Sequence, residues 1–383
     1  MIDGEGKTSF ILYPKNSNSD ILKCIISDFN SSASFDSSIS KCFVRISITL
    51  KNLKITKFRT NDSIINNWNS LKVINCNFNH NEIGASTNTG AIITNYDGSD
   101  CKITRSIFTK NNFFNFKVKG AVAIKNRKMN SFTITESNFT NFKSTSYSRG
   151  VAIYNNGINK ILVDKCQFKN TGEGSTIYNQ NGTVSVANCN FTKDSGSIYN
   201  YKKGAMTISE SVFKNSHDNY SSPITNQGNM KITACKFTKN KCNHGNGAIA
   251  NNGSVNLSNS KFTLNSATAN WGGAIQNQGY MVINSSLFKN NKATRGGAIY
   301  NARSMVIRDS IFTANLAVSN TTYPKGGAIF NKKSDKGLGA TLKLSNTKFK
   351  NNIESKNYRT IFNEKGEIIK KNVTISPKEG TKV

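Results

Sequence analysis

Apolar positions in this chain fall into a fixed phrase that repeats along most of its length. Aligned on Phe, eleven copies stand out: Phe78, Phe108, Phe139, Phe168, Phe191, Phe213, Phe237, Phe262, Phe288, Phe312 and Phe349, at spacings of 22 to 37 residues. Five residues before each Phe stands an aliphatic side chain, from Val73 to Leu344. Seven before stands an apolar residue in ten copies and Cys101 in the other. Two before Phe is always Ser, Cys or Thr. The residues between are mostly polar. Alternation by two marks a strand with one buried face. The step from five before to two before is odd, so the face inverts. The chain must bend or bulge there and begin a second strand.

A third apolar segment reads Gly-Ala-Ile-x-Asn at Gly247–Asn251, Gly273–Asn277, Gly297–Asn301 and Gly327–Asn331. Weaker copies keep Ile-x-Asn, as at Ile93/Asn95, Ile124/Asn126, Ile153/Asn155, Ile177/Asn179, Ile198/Asn200, Ile224/Asn226 and Ile361/Asn363. Three short strands in every ~25 residues, with no helical period between them, fit stacked coils and not hairpins. The pattern predicts an all-β fold: a single-stranded right-handed parallel β-helix with three short strands per coil and about 13 coils. Residues 1–60 form degenerate N-terminal coils, 61–363 the regular repeats, 364–376 a last partial coil and 377–383 a loose tail. Leu22, Cys24, Ser27 and Phe29 fit one degenerate coil; Leu53, Thr56, Phe58 and Asn61 fit another. Val373 and Ile375 fit the last half-coil.

The repeats assign roles to side chains. An inward Asn is costly unless satisfied, and a column of Asn lets each amide bond the next. The Phe column dominates burial. Gly before Ile permits a tight corner. A second Asn, three after Phe (Asn81, Asn111, Asn240, Asn265, Asn291, Asn315, Asn352), is expected in a turn of left-handed geometry.

Charge adds a partner class. Lys+Arg number 51 against 21 Asp+Glu, a formal net charge of +30. Such a field attracts polyanions: acidic glycans, cell-wall polymers, anionic lipid or nucleic acid. In sequence the cations spread over the whole chain with no tail or stripe, so nucleic acid is expected to bind only non-specifically. No apolar run approaches a membrane span, so no transmembrane segment is expected. The start "MIDGEGKTSFILYPK" lacks the pattern of a signal peptide, leaving either a chain not exported by that route or one whose true start lies upstream.

The paired GGAI and Phe-x-x-Asn phrases resemble the repeats of chlamydial polymorphic outer-membrane proteins. "GGAIYN…IRDSIFTAN" (296–315), "IDGEGKTSF" (2–10) and "ITLKNLKITKF" (48–58) are more similar still to adhesin-like β-helix proteins of methanogenic archaea. The resemblance covers nearly the whole chain. It implies a pectin-lyase-like solenoid, an extracellular or cell-surface location, and a non-catalytic, adhesin-like protein. Such a protein binds anionic or neutral glycans, or other surface polymers, through an extended face. The chain departs from the family in its lack of an export signal or recognisable anchoring domain and in its basic balance.

Candidate chemistry is thin. Tyr154, Tyr178, Tyr199 and Tyr300 each precede a ladder Asn, which by alternation faces them outward; they are the candidate glycan-stacking stripe, with cross-coil packing as the alternative. "GEGKT" at 4–8 ends like a phosphate loop but lacks its first Gly and its strand–helix context, so a turn is expected. Cys76, Cys166, Cys189 and Cys235 share the small interior position and read as stand-ins for Ser. Cys166 and Cys189 fall on consecutive coils, but in-register parallel pairing suits a disulfide poorly. Cys235, Cys242 and His244, with Cys189 a coil away, lack zinc-ligand spacing. A polysaccharide lyase or glycoside hydrolase on the same fold is the alternative function. It needs clustered carboxylates, whereas Glu136, Glu210 and Asp309 lie on separate coils and Asp97 and Asp100 flank a turn. His80, His217 and His244 have no spaced nucleophile. No catalytic residue, metal or cofactor is assigned. The loops 316–325 and 332–341, which lengthen one coil, are the variable segments most exposed to recognition.

Overall fold

A computed structural model describes residues 47–60, 63–84, 90–114, 122–144, 149–244, 246–318, 324–333, 339–355 and 359–378, with short strand pieces at 2–3, 10–11, 25–26 and 42–44. The chain forms two compact units, residues 1–190 and 191–383. Each is a parallel β-solenoid, and the described residues contain strands and no helix. The coil with Phe29, the turn at 4–8, the tail from 379 and the middles of both long loops lie outside the described residues.

Within each unit the described Phe-bearing strands stack in register. In the first unit Phe78, Phe108, Phe139 and Phe168 pair in order. In the second, Phe213, Phe237, Phe262, Phe288, Phe312 and Phe349 do the same. All are buried. Neighbouring rings stack at centroid distances from 4.5 Å (Phe288–Phe312) to 5.0 Å (Phe139–Phe168). The rung spacing of a parallel sheet, ~4.8 Å, sets that distance. Ile55 continues the column in the first unit and Ile375 in the second. Phe58 therefore does not hold the Phe position of its coil. Its amide bonds Asn81 Oδ1 at 3.0 Å, which puts it three residues later in the repeat.

The parity inversion comes from single left-handed residues. Three before Phe, φ runs from 47° (Ser285, Asn346) to 55° (Ala234). Two after Phe it runs from 51° (Lys110) to 59° (Leu264). One αL residue between two strands turns the chain and moves the next side chain to the inner face. For a non-Gly residue that conformation costs ~1–2 kcal/mol, and burial on either side of the corner outweighs it.

The second Asn is not the turn residue expected. It lies one place beyond the αL corner and is interior. Asn240, Asn265, Asn291 and Asn315 each donate Nδ2 to the Oδ1 of the next coil's Asn at 2.8–3.0 Å. Each also donates to the carbonyl of a Phe one coil back, at 3.0 Å. The Ile-x-Asn column does likewise. In the second unit Asn200, Asn226, Asn251, Asn277, Asn301, Asn331 and Asn363 form one chain of amide bonds of 2.7–2.9 Å. After the second Asn a fourth short strand piece appears in many coils, as at Lys241–Cys242, Lys292–Arg295 and Leu316–Ala317, so a coil has more than three strands.

The doubled Gly has two separate causes. Gly296 adopts φ 63°, and Gly297 has no room for a side chain: a Cβ there would lie 2.2 Å from the Gly327 carbonyl oxygen.

Candidate functional site

With the interior given over to ladders, function falls to the outer faces. The Tyr stripe is the first to test. Alternation does point these rings away from the interior, yet they are not an open surface. Tyr178 and Tyr300 are buried, at 2% and 4% exposure, and Tyr154 and Tyr199 are half-buried. In the first unit Tyr154 stacks on Tyr178 at 5.4 Å, its hydroxyl donates to Gln180 Oε1, and the Arg149 guanidinium lies 5.5 Å from the Tyr178 centroid. Burial pushes the Tyr154 phenol above its ordinary pKa. In the second unit Tyr199 accepts a 2.6 Å bond from Gln227 Nε2. Tyr154, Tyr178 and Tyr199 thus make contacts across coils.

Tyr300 is enclosed by a longer set of contacts. It lies in an aromatic run Trp271–Tyr300–Phe330–Phe362, with successive centroids 4.7, 5.5 and 5.7 Å apart. Cations from the covering segments lie over these rings: Arg295 and Lys325 over Phe330, and Lys325 and Arg359 over Phe362. Glu364 accepts from Lys325 Nζ at 2.6 Å, and that bond holds its carboxyl below the usual range. Glu354 accepts the Gly326 amide at 2.6 Å and Arg359 at 3.4 Å. Both carboxylates are committed to cations or main chain, so this cluster is a clasp that pins the covering segments.

Among the described residues, Cys76, Cys101, Cys166, Cys189, Cys235 and Cys242 are interior, as Ser would be. Cys76 Sγ lies 3.4 Å from the Ile74 carbonyl, the place Ser106 Oγ holds toward Thr104 at 3.0 Å. Burial pushes Cys101 up to about 12 and Cys235 to about 11. Cys189 is raised too, chiefly by its hydrogen bond with Cys166 and then by burial. Thiols so far from ionising are poor nucleophiles and poor ligands. Cys235 and Cys242 are buried, whereas His244 stacks on the exposed Tyr220 at 5.7 Å. Glu136, Glu210 and Asp309 are αL corner residues, with φ 51°, 49° and 51°. The fold does not bring these acids or thiols together into a catalytic or metal-binding group.

What the fold does gather is lysine. The residues either side of Phe point outward on the Phe sheet. In the second unit the preceding column runs Val212, Lys236, Lys261, Leu287, Ile311, Lys348. The following column runs Lys214, Thr238, Thr263, Lys289, Thr313, Lys350 over the same rungs. The six lysines are exposed. Neither column holds an acid, and no ion pair to a described acid involves these lysines. Lys236 and Lys261 are direct partners on successive coils, where like charges repel by about 1 kcal/mol in water. Cations that look scattered in sequence are thus aligned by the coil repeat into a basic face. The signal was the recurring Lys-Phe-Thr and Phe-Lys phrase, meaningful once the register is known.

In the first unit the residue after the ladder Asn forms another outer column: Trp68, Tyr96 and Arg127 on successive coils. Trp68 and Tyr96 stack at 3.8 Å with planes 4° apart, and Arg127 Cζ lies 5.1 Å from the Tyr96 centroid. Trp68 keeps 42% of its surface exposed. This pair stands one position after the Asn, whereas the tyrosines that the repeat singles out stand one before it.

No protein-family model and no curated sequence matches this chain. Among solved structures it is similar to a periplasmic alginate epimerase, AlgG, at 10% identity and a TM-score of 0.41, over 89% of this chain and 79% of that one. It is also similar to tailspike protein 3 of bacteriophage CBA120, at 9% identity and a TM-score of 0.35, over 89% of this chain and 57% of that one. Neither similarity supplies residue-by-residue correspondence for the faces described above. Among the described residues no helix is long and apolar enough to cross a membrane.

Proposed function

We propose that this chain is a non-catalytic, adhesin-like binder of extended anionic polymers, acting at a cell surface. The lysine face of the second unit supports the reading. Its lysines stand on a regular parallel sheet with no acid in either column, and Lys236 and Lys261 are direct partners, so a polymer with regularly spaced negative charge relieves the repulsion between them and pairs with the lysines along its length. Glu354 and Glu364 are engaged in ion pairs, and Glu136, Glu210 and Asp309 stand at corners of separate coils, which is why binding is preferred over turnover.

Retention on immobilised polygalacturonate and alginate, against neutral dextran, tests this. The reading expects retention on the acidic polymers, lost by about 0.5 M salt as the Debye length falls to a few ångströms. The double variant Lys236→Glu/Lys261→Glu is expected to bind about tenfold more weakly, equivalent to about 1.4 kcal/mol. An unchanged variant, or release of unsaturated or reducing ends from either polymer, overturns it, the second outcome in favour of a lyase or hydrolase.

A further inference from the structure

The interior column three residues after Phe does not begin with Asn in the second unit. Its first two rungs are Asp194 and Ser216, which follow Phe191 and Phe213. Both are interior, at 0% and 2% exposure. The two rungs stack in register: the Phe191 and Phe213 rings lie 4.7 Å apart with planes 1° apart, and the Lys193 amide bonds the Lys214 carbonyl at 3.1 Å. Lys193, the cation next to Asp194 in sequence, is exposed at the αL corner.

Later rungs show what fills this slot. Asn265 Oδ1 accepts from the Asn240 main-chain amide and from Asn240 Nδ2, while Asn265 Nδ2 donates to the Phe237 carbonyl and to Asn291 Oδ1. By the same register, an Asn at 216 would reach the Phe191 carbonyl and Asn240 Oδ1. The Ser216 main-chain amide does bond Asn240 Oδ1, at 3.2 Å, so the rung above is in its usual place. The Ser216 side chain is too short to supply the rest, and its buried hydroxyl has no partner. Room for a carboxamide is left, bordered by oxygens: Ser216 Oγ, Asn240 Oδ1, the Phe191 carbonyl and the Asp194 carboxylate.

Ser197 adds another oxygen. It precedes Ile198 as Thr176 precedes Ile177 one coil earlier. Thr176 Oγ1 lies 2.6 Å from Oγ1 of Thr171, the residue three after Phe168. That position therefore faces the column, which sets Ser197 beside Asp194. Ser197 is fully buried, and its hydroxyl also has no partner.

A buried carboxylate favours a positive charge close by. Carbonyl oxygens can replace the hydration shell of an alkali ion, as they do in a channel filter. One carboxylate balances one positive charge, whereas a divalent ion would leave an excess charge in the interior. We infer that the slot between Asp194 and Asn240 binds a dehydrated alkali-metal ion, sodium or potassium. The ion stands in for the missing carboxamide and starts the amide ladder. This site is interior and does not depend on the reading of the lysine face.

Thermal unfolding of the full chain tests this, in the chlorides of sodium, potassium and tetramethylammonium at one ionic strength, so that screening is constant. Tetramethylammonium is too large for a slot of one carboxamide. Only the folded chain holds the site, so Tm is expected to be higher by about 3 °C in at least one alkali salt. Which of sodium and potassium gives the larger rise reports the size of the slot. Asp194→Asn is expected to abolish the difference between salts. Asp194→Asn/Ser216→Asn completes the ladder with amides, and its Tm should be the same in every salt and no lower than that of the parent in tetramethylammonium. Equal Tm of the parent in all three salts overturns the inference, leaving an ordered water or a proton in the slot. An alkali-specific rise that persists in Asp194→Asn overturns it as well, because the ion then binds elsewhere. If Asp194→Asn alone fails to fold, the double variant decides, and an alkali-specific rise in it has the same force.

Discussion

The two units fill the same interior slot in different ways. Three residues after Phe, the second unit opens with the buried Asp194 and Ser216 and then places Asn240, Asn265, Asn291, Asn315 and Asn352 in one unbroken chain of amide bonds. The first unit begins the same chain, Asn81 to Asn111 at 3.0 Å, then puts Phe142 in the slot on the next coil and Thr171 after it. Phe142 packs edge-on against Phe113 at 5.2 Å and Phe139 at 6.2 Å. The Ile-x-Asn chain of the first unit also has a loose end: Asn126 accepts from Asn95 at 2.8 Å, and its own Nδ2 is buried with no partner. An amide ladder thus stabilises a coil only where the next coil supplies an acceptor. Where it does not, an apolar plug or a small hydroxyl suits the slot, and a leftover amide costs free energy. The regularity of the second unit also aligns its outer lysines, whereas the less regular first unit carries the exposed Trp68 stack.

The largest effect should come from the column both units share. Phe262→Ala, in the middle of the second unit, is expected to cost about 3–5 kcal/mol, read as a lower midpoint in denaturant unfolding. Because coils depend on their nearest neighbours, the loss should spread to adjacent rungs before distant ones, and hydrogen exchange would reveal that order. Next comes the contrast between ladders. Asn265→Ala removes the acceptor of Asn240 and two bonds donated by its own amide, and is expected to cost about 3 kcal/mol. Asn126→Ala, at the loose end, removes a bond from one side only and should cost about half as much. Equal losses in urea titrations would break the comparison. The smallest effect is a gain. Leu264 holds an exposed αL corner at φ 59°, and Leu264→Asn is expected to stabilise by up to about 1 kcal/mol, visible as a small rise in Tm.

Much of this was legible from the letters. Period-two alternation, the odd step before Phe and the recurring Ile-x-Asn led to stacked parallel coils, with Phe, aliphatic, small and Asn columns inside. The interchange of Cys with Ser two before Phe also held. The second Asn was misplaced because Asn suits both an αL turn and an interior amide ladder. A one-residue difference along the chain decides between them: the αL corner is two after Phe and the ladder three. Phe58 was misplaced because the degenerate coil offered a Phe, while pairing put Ile55 under Phe78.

The candidate site was less legible. Tyr154, Tyr178, Tyr199 and Tyr300 do leave the interior, as alternation requires, but alternation carries no information about what lies over a strand. Covering segments, cations and the Glu354 and Glu364 clasp decide that, and they come from residues distant in the repeat. The sequence by itself determined the inner half of each coil, because an interior column tolerates few side chains and so writes itself as a repeat. The tertiary structure alone decided the outer half: which lysines align, which tyrosines are covered and which tryptophan stays exposed. Stacking brings residues some 25 positions apart to within one rung, ~4.8 Å, of each other, and that distance depends on register and loop path and not on local pattern.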